Sequence, residues 1–90
     1  MKPSEFLSKR DSWCQGTMAR DKDGYSCDVF NESAVRWCML GAMKVCLPYK
    51  TLMDKITVLE EMLHQPIPEW NDSRIRTRDQ VVAMLIKVGL

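Results

Sequence analysis

The sequence predicts a mostly α-helical fold, a compact four-helix single domain with one long ordered loop between helices 1 and 2. Three observations lead to this prediction. Apolar residues recur at helical spacing in the second half of the chain, capping patterns precede two of those stretches, and one stretch is apolar on nearly every side. The 90 residues and the hydrophobic fraction of 46% fit one domain, residues 1–90, with a single core.

The first helix is predicted over residues 3–12, because Pro3 suits a first helical turn and Glu5 suits the positive end of the helix dipole. Residues 13–31 are different, since they contain two glycines, a turn signal before Gly24 and a stretch with weak strand character. We therefore expect an ordered loop here, with a small hairpin at Gly24. Loops of this length in a small domain are usually functional or packed on themselves.

A second helix is predicted over residues 32–46, at the centre of the expected fold. Apart from Arg36, Gly41 and Lys44, every position from 34 to 47 is apolar. A helix that is apolar on almost all sides is buried on almost all sides, so Arg36 is a conspicuous charge. Two interpretations of Arg36 are open: it faces a ligand, or it forms a buried ion pair with Asp72 or Asp21.

The two remaining helices are predicted from periodicity and from their end signals. Residues 51–64 follow the 3.6-residue period, and the prolines after them cannot continue a helix. A second polar loop covers residues 69–76. The last helix begins at Thr77, where Gln80 completes a capping box, and Gly89 ends it.

Composition and charge exclude several classes of partner. The formal net charge is only +1, so no global field attracts nucleic acid or an anionic membrane. No apolar run approaches the roughly 20 residues of a membrane span, and the chain start lacks the apolar stretch of a signal peptide. We expect the cytoplasm, where the cysteines are reduced and largely in the core: Cys14, Cys27, Cys38 and Cys46.

One local basic cluster lies at Arg74, Arg76 and Arg78, close to Trp70. We interpret it as a solvated loop and helix start, although basic residues in a first helical turn are mildly unfavourable. Metal sites are not expected, because no two cysteines have the close spacing of zinc ligands. The acidic turn at residues 21–24 also lacks the first and last ligands of a calcium loop. We predict no cofactor.

A cysteine nucleophile is one functional hypothesis. Cys38 would attack, and His64 would serve as its base. Gln15 would donate to the oxyanion, while Asn71 or Asp72 would orient the base. These residue types fit, but nothing in the sequence brings them together. His64 at a helix end is explained more simply as a favourable C-terminal charge.

The most informative pattern combines three tryptophans with nearby polar groups. Aromatic faces beside an arginine, an amide and a carboxylate are the usual means of holding a flat polar ligand. The competing interpretation is that the tryptophans simply form the core. The candidate ligand-binding residues are Trp13, Gln15, Asp21, Arg36, Trp37, Trp70, Asn71 and Asp72.

Four short motifs occur in a familiar order. They are Trp13-x-Gln15-Gly16, Ala19-x-Asp21-x-x-Gly24, Ala34-Val35-Arg36-Trp37-Cys38-x-x-Gly41-Ala42 and Trp70-Asn71-Asp72. This order resembles a small family of unknown function found in bacteria and bacteriophages. The family has no assigned activity, so the resemblance implies no catalytic residues. It implies that these positions belong to one pattern, and it suggests a phage origin and a role against host defence.

We predict a non-enzymatic binding module that holds a small polar or nucleotide-like ligand, or a peptide, near Arg36 and Trp37. Arg36 would meet the anionic or carbonyl part of the ligand, and Trp13 and Trp70 would stack on it. The alternative from another class is a protein-interaction domain, acting as a homodimer or as an inhibitor of a host protein. The Cys38-dependent enzyme is the second alternative.

Overall fold

A computed structural model describes all 90 residues, and it contains five helices and two strands. The predicted four-helix fold is therefore wrong, because a two-stranded antiparallel sheet stands between the first two helices. No helix of the molecule is both long enough and apolar enough to cross a membrane. The elements in chain order are α1 (Pro3–Ser8), β1 (Ala19–Asp21), β2 (Ala34–Trp37), α2 (Met39–Cys46), α3 (Tyr49–Leu63), α4 (Ile67–Asn71) and α5 (Arg78–Lys87).

The prediction fails most clearly at the central helix, whose first third is the strand β2. Pairing with β1 places Ala19 opposite Trp37 and Arg20 opposite Arg36. On its other edge, Trp37 donates its backbone N–H to the Ser12 carbonyl at 2.8 Å. A short apolar run satisfies a strand as well as a helix, and here the neighbouring chain segments decide between them. Helix α2 begins only at Met39.

The long loop wraps around the sheet and adds a further contact at each edge. Trp13 forms a parallel bridge with Trp37, and Ser26 forms an antiparallel bridge with Arg20. The chain reverses at Gly24, whose φ of 88° lies in the left-handed region that glycine adopts without strain. Four short chain segments therefore lie side by side, in the order Trp13, β2, β1 and Ser26. The two outer segments pair through single bridges, so the sheet is wider than its two strands.

The prolines that follow α3 lie at the start of a further short helix. Helix α3 runs over Tyr49–Leu63 and ends at His64, which has a left-handed φ of 57°. The short helix α4 follows with Pro66 at its N-cap position and Pro68 in its first turn, where a proline loses no hydrogen bond. It extends into residues 69–71, which were predicted as loop. The predicted capping box at the start of α5 is confirmed by both of its bonds, between Thr77 and Gln80.

The core consists of one main cluster and one small cluster. The small cluster lies beneath the sheet and contains Ala19, Val29 and Ala34. The main cluster takes residues from every helix and from the end of the chain. Its members are Leu7, Met39, Ala42, Met43, Leu52, Leu59, Ile67, Trp70, Val81, Leu85, Val88 and Leu90.

Helix α2 approaches the long loop so closely that only a glycine fits at the contact. A Cβ atom on Gly41 would clash with the backbone oxygen of Met18. Backbone atoms cannot turn aside as a flexible side chain can, so the loop position and the helix position depend on each other. This close approach seats the loop against the beginning of α2.

We expect Gly41→Ala to lower the free energy of unfolding by about 1–3 kcal/mol, because the new methyl group overpacks the contact. The exposed neighbour Lys44→Ala is the control and should change stability by less than about 0.5 kcal/mol. Urea denaturation measures both. The direction of the change distinguishes the two cases, because replacing glycine with alanine at an ordinary helix position stabilises a protein by about 0.5–1 kcal/mol. A stabilised Gly41→Ala protein would contradict the close approach.

Candidate functional site

Asn71, the last residue of α4, is completely buried and lies where the two polar loops meet. Its Oδ1 accepts from the Trp13 indole N–H at 2.8 Å and from the backbone N–H of Met39 at 3.0 Å. Its Nδ2 donates to the Cys14 carbonyl at 3.1 Å and to the Asp72 carboxylate at 3.0 Å. All four hydrogen-bonding positions of the amide are occupied, as a buried amide requires.

A second set of bonds runs alongside the asparagine. Gln15 Nε2 donates to the carbonyls of Asn71 and Ser73, each at 2.9 Å. The backbone N–H of Gly16 donates to the Asp72 carboxylate at 3.0 Å. Residues 13–16 are thereby attached to residues 71–73 through polar side chains. The side chains that were predicted to orient a ligand bind the two loops to each other.

Like Trp13, the other two predicted tryptophans make contacts within the fold. Trp37 donates its indole N–H to the Val29 carbonyl at 3.0 Å and packs on Phe6 with a centroid distance of 4.5 Å. Trp70 is 8% exposed, and the guanidinium of Arg76 covers its ring at 3.8 Å. A flat ligand cannot stack on Trp70 without displacing Arg76.

Two arginines of the basic cluster at residues 74–78 bind to different parts of the fold. Arg76 donates its Nε to the Trp70 carbonyl at 2.9 Å in addition to stacking on the indole. Arg78 donates to the carbonyls of Ser8 and Lys9, at 3.3 and 3.0 Å, and so satisfies the end of α1. These two arginines do not form a continuous basic patch with Arg74.

Asp21 belongs to the turn that follows β1. One of its carboxylate oxygens accepts from the backbone N–H groups of Asp23 and Tyr25, at 2.9 and 3.0 Å. A short polar side chain that closes its own turn in this way is typical of aspartate. Asp21 therefore orders the reversal at Gly24 and lies apart from the Asn71 network.

Arg36 is the predicted site residue that the fold leaves without a partner. Its side chain makes no hydrogen bond, and it makes no ion pair, since the two ion pairs of the molecule are Arg10–Asp11 and Arg78–Asp79. The buried ion pair with Asp72 or Asp21, one of the two interpretations of Arg36, is not formed. Arg36 lies in β2, and it is half-buried.

Arg20 is the residue that sequence reasoning missed. It lies directly opposite Arg36 in the sheet. Its two terminal nitrogens donate to the carbonyls of Gly24 and Gln15, each at 2.9 Å. No local pattern connects Arg20 with Arg36, because only the pairing of β1 with β2 brings them together. The signal that would have found it is the strand character of residues 34–37.

The cysteines have properties that disfavour nucleophilic chemistry. Burial is the main reason that the pKa of the Cys14 thiol rises to about 11. Burial also raises the pKa of Cys38, although the N–H of Gly41, which donates to its Sγ at 3.3 Å, acts in the opposite direction. Cys38 is 3% exposed and caps α2, and no hydrogen bond joins it to His64. A reactive cysteine needs an accessible thiolate.

The five concave regions of the surface include one cleft at the Asn71 network and one groove that shares no residue with it. A cleft of about 110 Å³ opens beside the Asn71 network, and it is lined by Gly16, Thr17, Met18, Cys38, Pro68 and Asp72. A larger groove of about 420 Å³ is mostly apolar, and it is lined by Phe30, Lys44, Leu47, Tyr49, Leu52 and Met53. Groups of acidic, histidine and cysteine side chains suited to a metal ion do not occur.

The fold and this network define a small mixed α/β domain whose two polar loops are joined through a buried asparagine. The chain belongs to the family of unknown function DUF6197, whose model matches residues 4–88. Neither a curated protein nor a solved structure matches the chain. The family assignment confirms the broader part of the resemblance, namely that this is an uncharacterised domain.

We expect Asn71→Ala to destabilise the fold by about 3 kcal/mol or more. Several buried polar groups lose their partner at once, and each unsatisfied group costs about 1–3 kcal/mol. The control is Asn31→Ala, because Asn31 is exposed and accepts a single bond from the Ser33 backbone. It should cost about 1 kcal/mol or less. If urea denaturation showed the same loss of stability for both variants, the Asn71 network would not be what holds the two loops together.

We expect iodoacetamide at pH 8 to modify Cys27 of the folded protein well before Cys14 or Cys38. Cys27 is half-buried, whereas the other two are buried and have raised pKa values, which keep them as thiols. Peptide mass spectrometry measures the order, and unfolding in urea should make all four cysteines reactive. Labelling of native Cys38 at the rate of Cys27 would favour the Cys38-dependent enzyme.

Proposed function

We propose that this domain is a non-enzymatic binding module that holds a small anionic ligand on the sheet face carrying Arg20 and Arg36. The observation that carries the proposal is the direct pairing of these two arginines. Like charges directly opposite each other in a sheet are destabilising, by up to about 1 kcal/mol. Neither guanidinium has a carboxylate partner within 4.0 Å. A bound anion would supply the missing negative charge.

The geometry supports a common binding face for both arginines. Directly opposed residues of paired strands extend from the same face of a sheet. Both guanidinium groups also act on the same thiol, since each lowers the pKa of Cys14 against the larger raising effect of burial. Both charges are therefore close enough to Cys14 to act on the same thiol, in agreement with their direct pairing in the sheet.

Both side chains retain free donors for a ligand. Arg20 uses two of its five N–H groups on the carbonyls of Gly24 and Gln15, and Arg36 uses none. Both residues are half-buried, so their attraction for an anion is weakened less by water than at a fully exposed position. The planar fork of a guanidinium matches the oxygens of carboxylates and phosphates.

The other predicted site residues have a positioning role in this proposal. The carbonyl of Gln15 accepts from Arg20, while the side chain of Gln15 is attached to Asn71 and Ser73. A Cβ atom on Gly16 would stand 3.2 Å from a terminal nitrogen of Arg20. The Asn71 network thus fixes the segment that holds Arg20, and a fixed donor loses less entropy when a ligand binds.

The biological setting that we propose follows from the order of the motifs, which resembles that of proteins from bacteria and bacteriophages. In that setting a module of this size would act in the cytoplasm of a bacterial host. Retention of a nucleotide-like anion there would remove a signal that host defence uses. The family assignment supplies no activity that competes with this proposal.

The test is isothermal titration calorimetry at low salt with three anions, namely inorganic phosphate, pyrophosphate and malonate. At least one should bind, and Arg36→Ala should weaken that binding about 10- to 100-fold, the usual value of a charged hydrogen bond. The control is Arg10→Ala, because the Arg10 side chain is 96% exposed and pairs with Asp11. It should leave the affinity unchanged.

The stability of the unbound variants separates a binding role from a structural one. Because Arg36 meets a like charge, Arg36→Ala should leave the unbound protein as stable as before, or more stable by up to about 1 kcal/mol. Binding of none of the three anions to the unmodified protein would overturn the proposal, and a clear loss of stability in Arg36→Ala would assign Arg36 a structural role instead.

A further inference from the structure

We infer that the anionic group held by this face is a phosphate monoester, and this inference rests on the proposed anion site. The observation behind it is a row of three donors across the sheet. Arg20 is paired with Arg36 on one side and with Ser26 on the other side. Directly opposed residues share a face, so two guanidinium groups and one hydroxyl group are placed in line.

A second hydroxyl group lies at the end of this row. Thr17 Oγ1 and Ser26 Oγ form a hydrogen bond with each other. Only one of the two protons is used in that bond, so the other proton remains available to an acceptor. Ser26 is exposed and Thr17 is half-buried, which leaves the pair open to a ligand from solvent.

The acidic residues closest in sequence lie in a different place. Asp21 lines a separate groove together with Glu32 and Val35, the neighbour of Arg36 in β2. Its carboxylate accepts from the backbone of its own turn and forms no ion pair with Arg20. Asp72 is closer, because its carboxylate accepts from the Gly16 N–H at 3.0 Å, but it forms no ion pair with either arginine. Neither guanidinium of the row is therefore in a direct ion pair with a side chain of this protein.

The number and type of donors favour phosphate over carboxylate. One guanidinium fork satisfies the two oxygens of a carboxylate, whereas this row offers the fork of Arg36, the three remaining N–H groups of Arg20 and a hydroxyl group. A phosphate monoester carries a charge of about −1.5 to −2 at pH 7 and three acceptor oxygens. Serine and threonine hydroxyls beside arginine are common phosphate contacts. The charge and the donor count both match.

The experiment compares ligands that differ in the anionic group, with adenosine as the ligand that lacks one. Isothermal titration is performed with AMP, inorganic phosphate, malonate and adenosine on the full chain. We expect AMP and phosphate to bind more tightly than malonate, and adenosine not to bind. Equal affinity for AMP and phosphate would assign recognition to the phosphate alone, and tighter binding of AMP would add a contact to the nucleoside.

The variant Ser26→Ala tests the hydroxyl group itself. It should weaken the binding of phosphate about five- to tenfold and leave the binding of malonate unchanged. Ser33→Ala is the matched control, since Ser33 is an exposed serine that lines the separate groove with Asp21. Circular dichroism checks that each variant is folded, and Thr17→Ala provides an independent test if Ser26→Ala is not.

The outcomes distinguish this inference from the proposal beneath it. Equal affinity for malonate and phosphate, with no effect of either hydroxyl variant, would overturn the phosphate inference and leave the anion site in place. Binding of none of the anions to the unmodified protein would overturn both. Binding of adenosine as tight as that of AMP would place the ligand contact away from the arginines and would overturn the phosphate inference.

Discussion

The four hydrogen bonds of the Asn71 side chain are the constraint on which the rest of this structure depends. The amide lies where α4 ends, where α2 begins and where the long loop starts, and it bonds to each of them. A buried amide is stable only when its donors and acceptors are all satisfied. The arrangement therefore fixes three separate parts of the chain relative to one another, and the small apolar core alone would specify their positions less narrowly.

The same network connects the interior with the proposed binding face. Asn71 anchors the segment at Gln15, and the Gln15 carbonyl holds the guanidinium of Arg20. Buried polar groups in this domain thus position the half-buried Arg20, and in the proposed site the ligand would contact residues on the sheet. The network therefore leaves no buried side-chain nitrogen or oxygen without a hydrogen-bond partner, whereas the half-buried arginines of the sheet keep free donors.

The paired arginines break a local rule of sheet stability. Opposed side chains in antiparallel strands are normally complementary in charge or apolar, and a pair of like charges works against the fold. Departures of this kind are expected where a site is built for a ligand, because the ligand provides the compensation. The turn at Gly24 and the hydroxyl groups of Thr17 and Ser26 lie around the same pair, so the departure is confined to one small region.

The sequence by itself determined the features that depend on neighbouring residues. The capping box at Thr77, the period of the third helix and the turn at Gly24 follow from local backbone chemistry, and the structure contains each of them. Only the tertiary structure decided that residues 34–37 form a strand, because their partners come from distant segments of the chain. For the same reason it alone placed Arg20 beside Arg36 and gave Asn71 its partners. Hydrogen bonds between remote segments leave no periodic trace in the sequence, whereas helix ends and turns do.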